Sequence, residues 1–226
     1  MCLIVIAARV HPGFPLIVAA NRDEYHARPS ERAGFWKDRP HILAGRDLEA
    51  MGTWMGISRA GRFAAVTNFR GGRDANAVES RGLLVTRFLE DGVSAGAYVT
   101  GVARRGNAYS GFNLLADDGG ELWWCSNRGA EPRRLDPGIY GLGNLLLDMP
   151  DVAEPKAQLE RSIDPPSIEP LFAVLAASKI VAPEYGTRCS TVLLGGHDGR
   201  VQFAERSFGP SGVDGPTLRY EFRISV

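Results

Sequence analysis

The chain opens on an apolar run, Leu3 to Ala8, that begins directly after a cysteine. Consecutive apolar residues rich in Ile and Val, ended by Arg9, are typical of a buried β-strand. A turn cluster with two prolines and a glycine follows at 11–15, and a second apolar run follows at 16–20. Residues 2–21 are therefore predicted to form a buried β-hairpin, and the rest of the chain must be built around it.

Cys2 lies in an unusual place for a thiol. Removal of Met1 would leave Cys2 as the amino terminus, with an α-amine beside its own sulfur. An α-amine has a pKa of about 7.7–8.0 and a Cys thiol one of about 8.5, so this amine can accept the thiol proton near neutral pH. One residue would then supply both nucleophile and base. The alternative is that Cys2 is simply a small apolar residue on a buried strand, as many free cysteines are.

Four polar residues, Asn21-Arg22-Asp23-Glu24, follow the second apolar run. If the turn of the hairpin centres near Gly13, Cys2 lies opposite Glu24, to within about two residues. The hairpin therefore predicts that this tetrapeptide lies beside the thiol. The alternative interpretation is an ordinary solvated start of a loop.

Composition excludes several classes of protein. With 226 residues and 44% hydrophobic content, the chain is predicted to be one domain spanning 1–226. Its 26 basic residues balance 26 acidic ones, which argues against nucleic acid or an anionic membrane as the main partner. No run approaches the roughly 20 apolar residues that span a bilayer, so no integral membrane segment is predicted. Three cysteines without paired spacing indicate a reducing compartment and no zinc site, and the cytoplasm is the predicted location.

The order of the remaining segments indicates the fold class. Strands come in adjacent hairpins, and helical spacing occupies two separate blocks, 82–105 and 155–179. This order predicts an α+β fold in which antiparallel sheets are covered by helices, rather than a parallel βαβ winding. The segment from Tyr25 to Ala50 contains two prolines and one short apolar patch, and we predict a long loop of the lid or binding kind.

Two predicted strands end in a side-chain amide. Asn68 follows the strand 63–67, and Asn144 follows a glycine-punctuated strand at 139–143. A side-chain amide at a strand end can donate a hydrogen bond to an oxyanion. An Asn that ends a strand is also a common turn residue, and this alternative stays open.

Several of these motifs together resemble a known family. They are Cys2, the tetrapeptide 21–24, Thr67-Asn68-Phe69-Arg70, and Tyr185-Gly186-Thr187-Arg188 followed by Ser190-Thr191-Val192. The chain resembles the NRDE family, also called transport and Golgi organisation protein 2-like, over essentially its whole length. That family is similar to N-terminal nucleophile hydrolases of the choloylglycine hydrolase and penicillin V acylase kind. The resemblance implies a four-layer αββα sandwich of two antiparallel sheets, with an N-terminal Cys nucleophile.

The resemblance also implies site residues. The catalytic set that it implies is Cys2, Arg22, Asp23, Asn68, Asn144 and Arg188. The substrate-binding set is Asn21, Glu24, Tyr25, Trp54, Phe69 and Arg70. The chain departs from the hydrolases at one point, because they separate their Arg and Asp by two residues. Arg22 and Asp23 are adjacent and point to opposite faces of an extended strand, whereas Asn21 and Glu24 keep the hydrolase spacing.

The function that follows is an N-terminal cysteine amidohydrolase for a small, partly apolar amide or acyl substrate. The alternative is a non-catalytic haem- or lipid-binding trafficking protein on the same fold. No cofactor or metal is required by the first function, and haem would be a transported ligand in the second. The chain has no CxxCH attachment motif, and its four histidines are scattered. The partner is predicted to be a small-molecule ligand, and no oligomeric state is predicted.

Overall fold

Two antiparallel β-sheets and four α-helices make up the computed structural model, which describes residues 2–71 and 74–225. The strands in chain order are β1 Leu3–Ala8, β2 Leu16–Tyr25, β3 Ser30–Phe35, β4 Ile42–Asp47, β5 Met55–Ser58, β6 Phe63–Asn68, β7 Phe112–Asp117, β8 Leu122–Ser126, β9 Ala130–Leu135, β10 Gly138–Leu142, β11 Tyr185–Gly195, β12 Arg200–Phe208 and β13 Asp214–Arg223. The helices are α1 Gly82–Glu90, α2 Ala95–Arg104, α3 Ala153–Ser162 and α4 Ile168–Ala176.

The described chain divides into two compact units. The first contains residues up to 28, 137–143 and 147–224, and the second contains 29–136, 144–146 and the last residues. Each unit holds one sheet and two helices. The prediction of an α+β fold with antiparallel sheets is confirmed, since every strand pair in both sheets is antiparallel. The single domain over 1–226 stays a prediction.

The first unit is built on the predicted hairpin. Its six strands run in the order β10-β1-β2-β11-β12-β13. Every residue of β1 is buried, as the unbroken apolar run requires. One face of the sheet packs against α3 and α4, where Val5 and Ile17 join Leu171 in a single apolar core. Helix α4 contributes most of the helical side of this core, because its sequence is almost entirely apolar.

The second unit is a meander of seven strands, β3 to β9, each paired with its neighbours in sequence. Helices α1 and α2 cover one face, with Phe88 and Val99 in the core beneath them. Helix α2 begins after Ser94, whose hydroxyl accepts a hydrogen bond from the Ala97 amide at 3.3 Å. Gly96 allows the helix to lie on the Trp123 ring, because a Cβ there would come within 2.8 Å of the indole.

One expectation about this part of the chain needs correction. The segment from Tyr25 to Ala50 is not a long loop, since it contains β3 and β4, the first two strands of the second sheet. Strand β3 is an edge strand with charged, exposed residues, so it lacks the apolar alternation that predicts a strand. The β1–β2 hairpin of the first unit has the predicted register to within two residues, since Leu3 pairs with Asn21 and the position opposite Cys2 is Arg22. This register lies within the range that the turn predicted.

Both helical blocks are where the spacing predicts them, at α1 with α2 and at α3 with α4. None of the helices within the described residues is both long enough and apolar enough to cross a bilayer. Met1, Gly72, Arg73 and Val226 lie outside the described residues. The removal of Met1, which a free amine on Cys2 requires, therefore concerns a residue of which the structure gives no description.

Candidate active site

The tetrapeptide 21–24 presents its side chains alternately to the two faces of β2. Asn21 is fully buried on the helix face, where its side-chain amide donates to the Leu175 carbonyl in α4 at 3.0 Å. The hydroxyl of Ser190, the partner of Asn21 on β11, donates to the amide oxygen at 2.6 Å. Because side chains alternate along a strand, Asp23 shares the face of Asn21, and Arg22 and Glu24 share the opposite one. The ion pair between Arg22 and Glu24, at 4.0 Å, agrees with this arrangement.

The Cys2 thiol is buried and lies beside this tetrapeptide. Its Sγ donates to the backbone carbonyl oxygen of Asp23 at 3.6 Å. Extending the β1–β2 ladder by one residue places Cys2 opposite Arg22, on the face turned away from the helices. Burial raises the pKa of the Cys2 thiol, the charge of Asp23 raises it further, and the Arg22 guanidinium acts in the opposite direction. As held here, the thiol is therefore protonated at neutral pH.

The Asp23 carboxylate forms its hydrogen bond on the side away from the Cys2 thiol. The carboxylate accepts a hydrogen bond from the Thr187 hydroxyl at 2.6 Å, across the β2–β11 ladder. The Thr187 hydroxyl in turn accepts from the Ile180 amide at 2.9 Å. Asp23 thus accepts from the Cys2 thiol through its backbone carbonyl and anchors β11 through its carboxylate. The Tyr185 hydroxyl also donates to this backbone carbonyl, at 3.3 Å.

Arg188 lies in a bulge of β11, between Thr187 and Cys189. Its guanidinium donates to the backbone carbonyls of Tyr25 at 2.8 Å and Arg28 at 3.1 Å, which fixes the end of β2. Burial lowers the pKa of Arg188, and the positive charge of Arg22 lowers it further. The second effect indicates that two guanidinium groups lie near one another at this end of the sheet, where they favour an anion.

The two predicted amides, Asn68 and Asn144, come together in the second unit. The Asn144 side chain donates to the Asn68 backbone carbonyl, and the Arg70 amide donates to the Asn144 carbonyl at 2.7 Å. The Asn68 side chain is exposed at the end of β6. Segment 144–146 is held in place by buried Asn113, whose amide donates to the Leu145 carbonyl at 2.8 Å.

The other predicted binding residues are spread over both units. In the first unit, Tyr25 is exposed and meets the Tyr185 ring edge-on at 5.2 Å between centroids. In the second, Trp54 packs against the core beneath α1 and α2. Phe69 is half-buried and its amide donates to the Gly111 carbonyl at 2.9 Å, while Arg70 is exposed.

Sequence reasoning missed three residues that support these groups: Tyr185, Thr187 and Asn113. Tyr185 and Thr187 belong to a motif that was visible in the sequence, but nothing there indicated that they reach Asp23, which lies 162 and 164 residues away in the chain. Asn113 interrupts the apolar strand β7, and a polar residue inside such a run is the signal that could have found it.

Comparison with solved structures identifies the fold. The Caenorhabditis elegans N-acylethanolamine-hydrolyzing acid amidase ortholog has the same fold, with a TM-score of 0.55 over 85% of this chain and 92% of that one, at 10% identity. The protein therefore has the fold of the N-terminal nucleophile hydrolases, and the predicted fold class is confirmed.

The family model for Transport and Golgi organisation 2 matches residues 1–180. The Transport and Golgi organization protein 2 homologs of Bos taurus and Homo sapiens are each 35% identical to this chain over 99% of both sequences. The chain belongs to the Transport and Golgi organisation 2 family, as the sequence motifs indicated.

Proposed function

We propose that this protein is an N-terminal cysteine amidohydrolase that acts on a small, partly apolar amide or acyl substrate. The observation that best supports this function is the buried Cys2 thiol, which donates to the Asp23 carbonyl and lies beside Arg22. The solved amidase that shares the fold is named for the hydrolysis of N-acylethanolamines, which are amides. The amide bond in the proposed reaction is taken from that name.

The chemistry begins once Met1 has been removed and Cys2 carries a free α-amine. The amine takes the thiol proton, and the thiolate attacks the substrate carbonyl carbon to form a tetrahedral oxyanion. The α-ammonium returns the proton to the leaving amine as the carbon–nitrogen bond breaks, which leaves a thioester on Cys2. Water then attacks the thioester with the amine again acting as base, and the carboxylic acid leaves. Arg22 favours the thiolate in both halves of the reaction.

Removal of Met1 is expected to change the reactivity of Cys2. In protein that keeps Met1, Cys2 should be alkylated half-maximally above the reference pH of about 8.5, because burial and Asp23 raise the pKa of its thiol. In protein that begins at Cys2, the new ammonium beside the sulfur should move this midpoint below 8.5. Iodoacetamide alkylation across pH measures both, with intact mass reporting the state of Met1.

The control is the same pair of proteins with Cys125→Ala and Cys189→Ala, so that only Cys2 is labelled. Equal midpoints in the two forms would contradict the proposal that the amine activates the thiol.

Asn68 is proposed to donate to the oxyanion. Asn68→Ala should lower turnover of a p-nitrophenyl acyl ester by about 10²–10³-fold, the usual effect of losing one such donor. The free energy of unfolding should change by less than about 0.5 kcal/mol, because the side chain is exposed. Asn107→Ala, which also removes an exposed amide from the second unit, is the matched control and should keep full turnover. Equal turnover in the two variants would remove Asn68 from the mechanism.

A non-catalytic haem- or lipid-binding protein is the second candidate, and the raised pKa of the Cys2 thiol favours it. Two of the histidines are not placed to serve as axial ligands to haem iron. Nδ1 of His11 accepts from the amides of Gly13 and Phe14, and Nε2 of His26 is buried against the backbone at Gly186. A carrier would bind its ligand equally well after Cys2→Ala, which a thermal-shift screen of fatty acids, N-acyl amino acids and haem would detect.

We place this activity in the cytoplasm. All three cysteines are free and buried, with no disulfide among the described residues, as a reducing compartment favours. Imaging of a carboxy-terminal fluorescent fusion in the native host tests the location, and a signal confined to a membrane-bound compartment would contradict it.

A further inference from the structure

Two side-chain donors meet at one backbone oxygen in the first unit. The carbonyl of Asp23 accepts from the Cys2 thiol at 3.6 Å and from the Tyr185 hydroxyl at 3.3 Å. Tyr185 begins β11 and pairs with Tyr25, two residues beyond Asp23 on β2. A carbonyl oxygen has two lone pairs and can accept both hydrogen bonds at once.

We propose that Tyr185 is a positioning residue for the Cys2 nucleophile, whose hydroxyl keeps the Asp23 carbonyl hydrogen-bonded when Cys2 gives up its proton. The inference rests on the proposed function, because it concerns the ionisation of Cys2. It adds a residue that the predicted catalytic and substrate-binding sets do not include.

Ionisation of Cys2 changes the hydrogen bonds at the Asp23 carbonyl oxygen. A thiol can donate to a carbonyl, but a thiolate cannot, so ionisation of Cys2 removes one donor from a partly enclosed oxygen. Loss of a hydrogen bond to such a group is unfavourable and would oppose ionisation. The Tyr185 hydroxyl remains on the same oxygen, and the loss is therefore smaller when Tyr185 is present.

Tyr185 keeps its own proton throughout. Burial raises the pKa of its hydroxyl well above the usual value, and negative charge on Cys2, Asp23 and Glu24 raises it further. The hydroxyl therefore stays a donor over the pH range in which Cys2 ionises. Additional negative charge near Tyr185 stabilises the protonated hydroxyl further, because it disfavours the phenolate.

The neighbouring charged groups do not replace this donor. Cys2 is influenced by Asp23, which disfavours the thiolate, and by Arg22, which favours it. The side chains of Tyr25 and Tyr185 meet edge-on through their rings, a contact that a phenylalanine at 185 preserves.

The test is the pH profile of Cys2 alkylation in Tyr185→Phe, using protein that begins at Cys2 and carries Cys125→Ala and Cys189→Ala. The midpoint should rise by about half to one pH unit, which makes iodoacetamide labelling about three- to tenfold slower below the midpoint. Tyr98→Phe is the matched control, because the Tyr98 hydroxyl also donates to a backbone carbonyl, that of Leu84, at 2.7 Å in the second unit. It should leave the midpoint unchanged.

A second variant distinguishes the effect of the Tyr185 hydrogen bond from a purely structural effect of the substitution. 3-Fluorotyrosine at 185 keeps the ring and the hydroxyl but is a stronger donor, and it should lower the midpoint, opposite to Tyr185→Phe. If neither change at 185 moves the midpoint of an activated Cys2, the role of Tyr185 is overturned while the proposed function stands. If Cys2 of the unsubstituted protein never labels below pH 8.5 or so, both are overturned.

Discussion

Cys2→Ala is expected to lower the hydrolysis of a p-nitrophenyl acyl ester by at least about a thousandfold, because the proposed reaction passes through a thioester on this sulfur. The variant should also fail to form a covalent acyl adduct, which intact mass detects directly. The fold should survive, since Cys2 precedes β1 and contributes no backbone ladder pair within the described strands.

Cys125→Ala is the matched control. It removes a buried thiol from β8 in the second unit, where burial raises the pKa to about 12 and keeps the sulfur unreactive. This variant should retain both the turnover and the adduct. Turnover that persists in Cys2→Ala, or an adduct on Cys125, would show that the chemistry lies elsewhere.

Phe88→Ala should lower the free energy of unfolding by about 3–5 kcal/mol, the largest stability effect that we expect from one side chain. Phe88 is fully buried on α1, and its ring contacts the Tyr98 ring at 5.1 Å between centroids. The Arg62 guanidinium lies 4.0 Å from the centroid of the same ring. Removing the ring leaves a cavity and also removes the surface on which Arg62 packs.

Urea denaturation followed by circular dichroism measures this effect. Phe88→Leu, which retains most of the apolar volume, should show a clearly smaller loss, and Val78→Ala should show almost none, because Val78 is 83% exposed. A loss below about 1 kcal/mol in Phe88→Ala would mean that the core beneath α1 and α2 is not packed as described.

Local sequence pattern was sufficient for the elements that bury a regular face. The hairpin β1–β2 follows from two apolar runs around a turn, and α1 follows from the spacing of Leu83, Leu84, Phe88 and Leu89. Strand β3 was missed because an edge strand exposes one side to water and tolerates charged residues. Its identity as a strand depends on pairing with β4, which no local pattern reveals.

The proximity of Cys2 to the tetrapeptide 21–24 was predicted from the hairpin alone. A turn of known position brings Cys2 close to residues 21–24, and the error in register was two residues. The contribution of Tyr185 to the same site was not predictable, since it depends on β11 pairing with β2 and on the bulge at Arg188. A bulge moves every later side chain by one position, and nothing in the sequence marks where it falls.

The adjacency of Arg22 and Asp23 in the sequence is enough to predict that they point to opposite faces of β2, because side chains alternate along any extended strand. The face of β2 that the helices cover is known only from the tertiary structure. Both faces of the hairpin are apolar, so alternation could not show that α4 covers the side of Asn21 and Asp23. Packing of α4 on that side leaves Arg22 on the face of Cys2 and turns the Asp23 carboxylate towards Thr187. The Cys2 thiol therefore donates to the backbone carbonyl of Asp23, while burial and the charge of Asp23 raise the pKa of the thiol.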